Sequence, residues 1–184
     1  QTACRQLKEW DDAGLPPLSM AVNFSAVQFQ RKGFLDSIRR MLEESGVDSG
    51  RLDLEITESA LMKNPEEAGS ILRSLRELGV KVSIDDFGTG YSSLGYLKRF
   101  PVSILKIDQS FVKDIVDSPD DQAIAEAVIA LAQGMSLMVV AEGVETEAQL
   151  KILEVLECDK VQGFFFSRPL APDAVGEFCR SRGR

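Results

Sequence analysis

A chain of 184 residues with a net charge of −8 and 44% hydrophobic residues has the size and balance of one globular domain with a sizeable core. Its acidity argues against a bulk electrostatic grip on DNA or RNA polymers. The absence of histidine removes the commonest general base and the usual zinc ligand, so any catalysis must run on carboxylates, lysine or a cation that prefers oxygen ligands.

No stretch approaches the length of a membrane-spanning helix, and no N-terminal apolar run resembles a signal peptide. Cys4, Cys158 and Cys179 are far apart, odd in number and without metal-type spacing, which reads as reduced thiols in a cytoplasmic protein. Cys4, Leu7 and Trp10 fall at helical spacing and predict a helix over 2–12 that Gly14 and Pro16-Pro17 end. It starts without a cap, as though cut inside a longer helix. Residues 18–25 read as a strand with Asn23 near its end. Phe34, Leu35, Ile38, Met41 and Leu42 share a helical face over 34–44, stopped by Gly46. Residues 51–57 alternate as a strand, with Leu52, Leu54 and Ile56 on one side and Asp53, Glu55 and Thr57 on the other.

Asn64-Pro65 supplies an N-cap and a first-position proline for a helix to Leu78, closed by Gly79. Residues 80–85 form a strand that delivers Asp85 and Asp86, followed by glycines and small hydroxyl residues up to Leu94. Two adjacent carboxylates repel each other and need a cation or a shifted proton. Another short strand covers 104–107, with Lys106 and Asp108 near its end. Ser118-Pro119-Asp120-Asp121 starts a helix ending at Gly134, with Ile124, Ala127, Val128, Leu131 and Ala132 on one face. The unbroken apolar run 137–141 has the mark of a strand buried on both faces, and Glu142 follows it. Thr146 and Gln149 make a capping box for a helix to Leu156. Residues 160–163 read as a strand ending in Gln162, and 172–180 as a last helix. Phe164 to Phe166, between them, read as core rather than as a base-stacking surface.

Six strands alternating with helices predict an α/β protein with a parallel sheet. An open doubly wound sheet and a barrel both fit. The barrel is favoured because Asn23, Glu55, Asp85, Lys106, Glu142 and Gln162 sit at strand ends, which converge on one face only in a (β/α)8 barrel. Six strands are two short, so the expectation is a single TIM-type (β/α)8 domain over 1–184, N-terminally incomplete.

Val22-Asn23-Phe24-Ser25, Leu54-Glu55-Ile56-Thr57-Glu58, Asp85-Asp86-Phe87-Gly88-Thr89-Gly90-Tyr91-Ser92-Ser93-Leu94, Leu105-Lys106-Ile107-Asp108, Ala141-Glu142-Gly143-Val144-Glu145 and Val161-Gln162-Gly163 occur in the order found in EAL domains. The chain resembles these bacterial cyclic di-GMP phosphodiesterases from its first residues to Pro169-Leu170 and beyond. The Glu-Ala-Leu segment that names the family precedes all of these motifs and is absent from this sequence; its glutamate is a metal ligand in the family.

The resemblance implies a modified (β/α)8 barrel with one strand antiparallel to the others. It implies a site for Mg2+ or Mn2+ in a two-metal arrangement, with Ca2+ as an inhibitor. Asn23, Glu55, Asp85, Asp86 and Glu142 take the metal positions, Asp85 bridging, and Glu142 and Lys106 are the catalytic residues. Glu58 takes the position that braces the glycine loop, and Asp108 is expected as a structural partner of Lys106, behind the residues that touch the metals. Glu145 and Gln162 serve near the metal or substrate. The loop of Phe87, Gly88, Thr89 and Gly90 positions the two aspartates, and 85–94 takes part in homodimer contacts. The implied activity is hydrolysis of cyclic di-GMP to linear pGpG in a parent chain with other signalling domains, cytoplasmic or membrane-tethered. A catalytically inactive cyclic di-GMP receptor is the alternative.

Overall fold

The computed structural model describes residues 1–89 and 94–182, so Gly90 and its neighbours to Ser93 lie outside the described residues. The alternation in 52–57 decides which side of the sheet is which. Leu52, Leu54 and Ile56 are buried, and on the next strand so are Val82 and Ile84. Register carries that face onward: Leu54 pairs with Val82, Ile84 with Leu105, and Leu105 with Val139. Helices cover this apolar face, and each fully buried Leu or Ile there contributes about 1.5–3 kcal/mol. The opposite face carries Asn23, Glu55, Ser83, Lys106 and Val140, and it is the one that can bear chemistry.

The strands are β1 (Met20–Phe24), β2 (Leu52–Thr57), β3 (Lys81–Phe87), β4 (Ile104–Ile107), β5 (Met138–Ala141) and β6 (Lys160–Val161). All five pairings are parallel, and the spatial order equals the chain order. Each crossover therefore steps one place in the same direction. A doubly wound sheet needs a reversal of strand order, and there is none here. The sheet is singly wound and curls as part of a barrel.

The helices are α1 (Thr2–Asp12), α2 (Ala26–Phe29), α3 (Phe34–Ser45), α4 (Glu58–Met62), α5 (Pro65–Glu77), α6 (Leu94–Leu97), α7 (Gln109–Lys113), α8 (Pro119–Gly134), α9 (Glu147–Val155) and α10 (Pro172–Arg182). The sequence reading missed α2, α4, α6 and α7, which are one turn or little more and too short to display a period. Asn64 caps α5 with Pro65 at the first position, and Thr146 with Gln149 forms the capping box of α9. No helix among the described residues is long and apolar enough to cross a membrane. The three cysteines are free.

Two expectations are corrected here. In α8 the buried stripe is Ala125, Val128, Ile129 and Ala132, while Ile124 is exposed. The helix is apolar almost all round, so its sequence does not fix which face turns inward. Strand β5 is buried on one face only: Val139 and Ala141 are covered, whereas Met138 is exposed on the inner face. Its inner-face neighbour in the two-residue β6 is Lys160, itself exposed, beside Val140.

The chain after β6 runs directly against the loop after β5. Val144 donates its N–H to the Gln162 carbonyl at 3.0 Å, and Phe165 returns one to the Val144 carbonyl at 2.9 Å. A Cβ at Gly163 would be driven into the backbone of Val144. Gly163→Ala is therefore expected to cost about 1–3 kcal/mol as an overpacked contact, read from chemical denaturation midpoints.

Candidate active site

The inner face converges on Lys106. In β4 its neighbours Leu105 and Ile107 point to the helices, so period-two geometry sends Lys106 inward. Its ammonium lies 2.5 Å from Glu55 Oε1, 2.5 Å from Glu142 Oε1 and 3.1 Å from Asp85 Oδ1. Lys106 and Glu55 are almost fully buried, and Glu142 keeps 20% of its side chain exposed. Burial alone would lower the lysine pKa. The hydrogen bonds and charges of Glu142 and Glu55 together outweigh it and raise the pKa, so Lys106 stays protonated. Burial pushes the Glu55 carboxyl above its ordinary range, against the pull of Lys106 and helped by the charges of Asp85 and Glu142.

Asn23 lies at the open edge of the same face, in register with Glu55, and Thr57 is in register with Asp85. Asp86 follows Asp85 with a left-handed φ of 53°, where the β3–β4 register shifts between Ile84 and Phe87. Its carboxyl faces Asp108. Burial, then the charges of Asp85 and Asp108, raise the Asp86 pKa. Thr89 closes the turn by donating its hydroxyl to the Asp86 carbonyl at 2.8 Å. Phe87 is buried, and Gly88 at φ 97° lies against the Phe111 ring.

The ion-pair partners of Lys106 among the described residues are Glu55, Asp85 and Glu142. Asp108 instead caps α7, accepting the Ser110 N–H at 2.9 Å, and faces Asp86. It leaves β4 with the turn into α7, away from the inward direction of Lys106. Glu58 opens α4 and is 3% exposed, and among the described residues neither of its carboxylate oxygens has a hydrogen-bond partner. The loop it was expected to brace falls partly outside the described residues. Glu145 and Gln162 are exposed at the rim, held by backbone bonds: Gln149 accepts the Glu145 N–H, and Gln162 donates its N–H to the Ala141 carbonyl.

Sequence reasoning passed over Ser83, which donates its hydroxyl to Asp53 below the cluster, and saw in Gln149 only a capping residue, without its bond to Lys113. The alternation of 51–57 already put Asp53 on the face of Glu55. The core assignment of Phe164 to Phe166 is also corrected, since Phe164 and Phe165 are 50% and 40% exposed. They follow a strand of only two residues and have no sheet to pack beneath. Arg168 stacks over the Phe164 ring at 5.1 Å, beside an open cavity of about 430 Å3 that Gln162 also borders.

The cluster fits divalent cations. Three carboxylates meet one ammonium, which leaves two negative charges uncompensated. Asp85 Oδ1 is buried and, although close to Lys106, makes no hydrogen bond with it. The donors are all hard oxygens, the preference of Mg2+ and Mn2+. Among the described residues no group of three or more His, Cys, Asp or Glu side chains is placed to hold a metal ion as the side chains stand, and the Lys106 ammonium lies among these carboxylates.

Known proteins resemble this chain in sequence and fold. The chain is 50% identical over 179 residues to cyclic di-GMP phosphodiesterase NbdA of Pseudomonas aeruginosa, covering 97% of this chain and 23% of that protein. It spans 22% to 25% of the lengths of three curated relatives. The structure of the PaMucR phosphodiesterase in complex with c-di-GMP superposes with a TM-score of 0.91 at 46% identity, covering 95% of this chain and 70% of that one. Klebsiella pneumoniae BlrP1, solved with cyclic di-GMP and either calcium or manganese, superposes with TM-scores of 0.82 and 0.81 at 30% identity. These cover 93% and 92% of this chain and 44% and 43% of those chains. The EAL domain family model matches residues 1–169, across all six strands and the Lys106 cluster, and the chain belongs to that family.

Proposed function

We propose that this chain hydrolyses cyclic di-GMP to linear pGpG with divalent cations, Mg2+ or Mn2+. The observation that carries the proposal is the Lys106 cluster, in a chain whose relatives are named as phosphodiesterases of that substrate. Asn23, Glu55, Asp85, Asp86 and Glu142 would hold the cations. When bound, these supply charge neutralisation at the phosphodiester and a bound water of lowered pKa. Glu142, the most exposed member of the cluster, takes the proton of the attacking water. The water oxygen bonds to phosphorus, the bond to the 3′ oxygen breaks, and that oxygen leaves with a proton from solvent. Lys106 pairs with Glu55, Asp85 and Glu142 and orients them. Asp108 faces Asp86 at the mouth of the site, and Glu145 and Gln162 line its rim.

The chain acts in the cytoplasm as part of a multidomain signalling protein, and its free thiols fit that compartment. Its homodimer contact runs through 85–94, where Leu94 is exposed. Calorimetry with cyclic di-GMP alongside product chromatography tests the hydrolase against a receptor. A hydrolase yields pGpG, whereas tight binding with no product over hours identifies a receptor.

A further inference from the structure

Gln149 has no place in the chemistry above, yet it is one of the few buried polar side chains, at 6% exposure. Its amide is engaged at both ends. Oε1 accepts the backbone N–H groups of Glu145 at 2.8 Å and Thr146 at 2.9 Å, and Nε2 donates to the Lys113 carbonyl at 3.0 Å. Capping of α9 alone does not need that reach. The Thr146 hydroxyl accepts from the backbone N–H of residue 149, a bond that any residue there would keep. The bond to Lys113 ties the start of α9 to the end of α7.

These two segments follow the two ends of the Lys106–Glu142 ion pair. Segment 108–113 leaves β4 directly after Lys106, and segment 142–146 begins with Glu142 itself. They touch, since a Cβ at Gly143 would stand 2.7 Å from Cβ of Gln109. The sheet ladder gives Glu142 one bond, its N–H to the Ile107 carbonyl at 3.2 Å, near the long end of the range. Beyond it, Gly143 turns at φ 77°, and the loop is fastened by Val144 to Gln162 and by the two bonds to Gln149.

We propose that Gln149 is a positioning residue. It clamps the 142–146 loop to α7 at the spacing where the Glu142 carboxylate meets Lys106. The role in turnover rests on the hydrolase reading above; the clamp itself does not.

Two variants separate its ends. Gln149→Met keeps the length and loses all three bonds. Gln149→Glu keeps the acceptor for Glu145 and Thr146 and loses the donor to Lys113. For Gln149→Met, kcat on cyclic di-GMP is expected to fall about tenfold to a hundredfold, the scale of a misplaced reacting group. KM is expected to stay within about twofold, because substrate contacts are untouched. Gln149→Glu falls between Gln149→Met and the parent. In a Glu142→Ala background the further fall from Gln149→Met disappears, since residues acting as one unit are not additive. Hydrogen exchange at the Glu145 and Thr146 amides accelerates in Gln149→Met and stays slow in Gln149→Glu. Unchanged kcat in Gln149→Met, or a full further fall in the Glu142→Ala background, overturns the positioning role. Unchanged amide exchange overturns the clamp. If the parent protein turns over nothing, the hydrolase reading and this role in turnover fall together, and the exchange experiment still decides the clamp.

Discussion

Lys106→Met is expected to remove cyclic di-GMP turnover and to cost about 3–5 kcal/mol of stability, the scale for breaking a buried ion pair from one side. The ammonium is the common partner of Glu55, Asp85 and Glu142, and hardly any of it reaches water. Methionine fills the same length with no charge. Three carboxylates would then crowd together with nothing between them, and burial already presses Glu55 toward its protonated form. A divalent cation can replace the lost charge. Manganese is therefore expected to raise the melting temperature of Lys106→Met by more than it raises that of the parent protein. Equal stability of variant and parent without metal would mean that the cluster is not held by charge.

Glu142→Ala is expected to lower kcat by about 10²–10⁴, the range for loss of a general base, with the fold retained. Its side chain is the most exposed of the cluster, and its ion-pair partner among the described residues is Lys106. Removing it still leaves Lys106 two carboxylates, Glu55 and Asp85. The two losses are thus expected to separate: loss of Lys106 lowers stability and turnover together, whereas loss of Glu142 acts chiefly on turnover. Steady-state kinetics with a melting curve on the same sample checks this, and undiminished turnover would remove Glu142 from the role of base.

Much of this could be read from the residues, for identifiable reasons. Strand β2 alternates strictly, so the side of Glu55 followed from Leu54 and Ile56. Lys106 between Leu105 and Ile107 had to point inward for the same reason. The convergence of strand ends followed from the polar residue near the end of nearly every strand, which only a barrel gathers on one face. What escaped depends on contacts distant in sequence. The left-handed turn at Asp86, which brings it to Asp108, is a register shift between two strands that no local pattern announces. The orientation of α8 is set by what packs beneath it, because its own composition is apolar on nearly every side. Gln149 was legible as half of a capping box. Its second bond, to Lys113, joins residues 36 apart in sequence, and only the fold brings them together.

Hydrolysis in 18O-labelled water tests the central claim most directly. The purified protein is incubated with cyclic di-GMP and manganese, and the product is separated and weighed by mass spectrometry. The expected product is pGpG carrying one 18O in its terminal 5′-phosphate, formed with manganese and absent when a chelator is present. Cyclic di-GMP recovered intact, or pGpG without label on that phosphate, would contradict hydrolysis by water attack on phosphorus at this site.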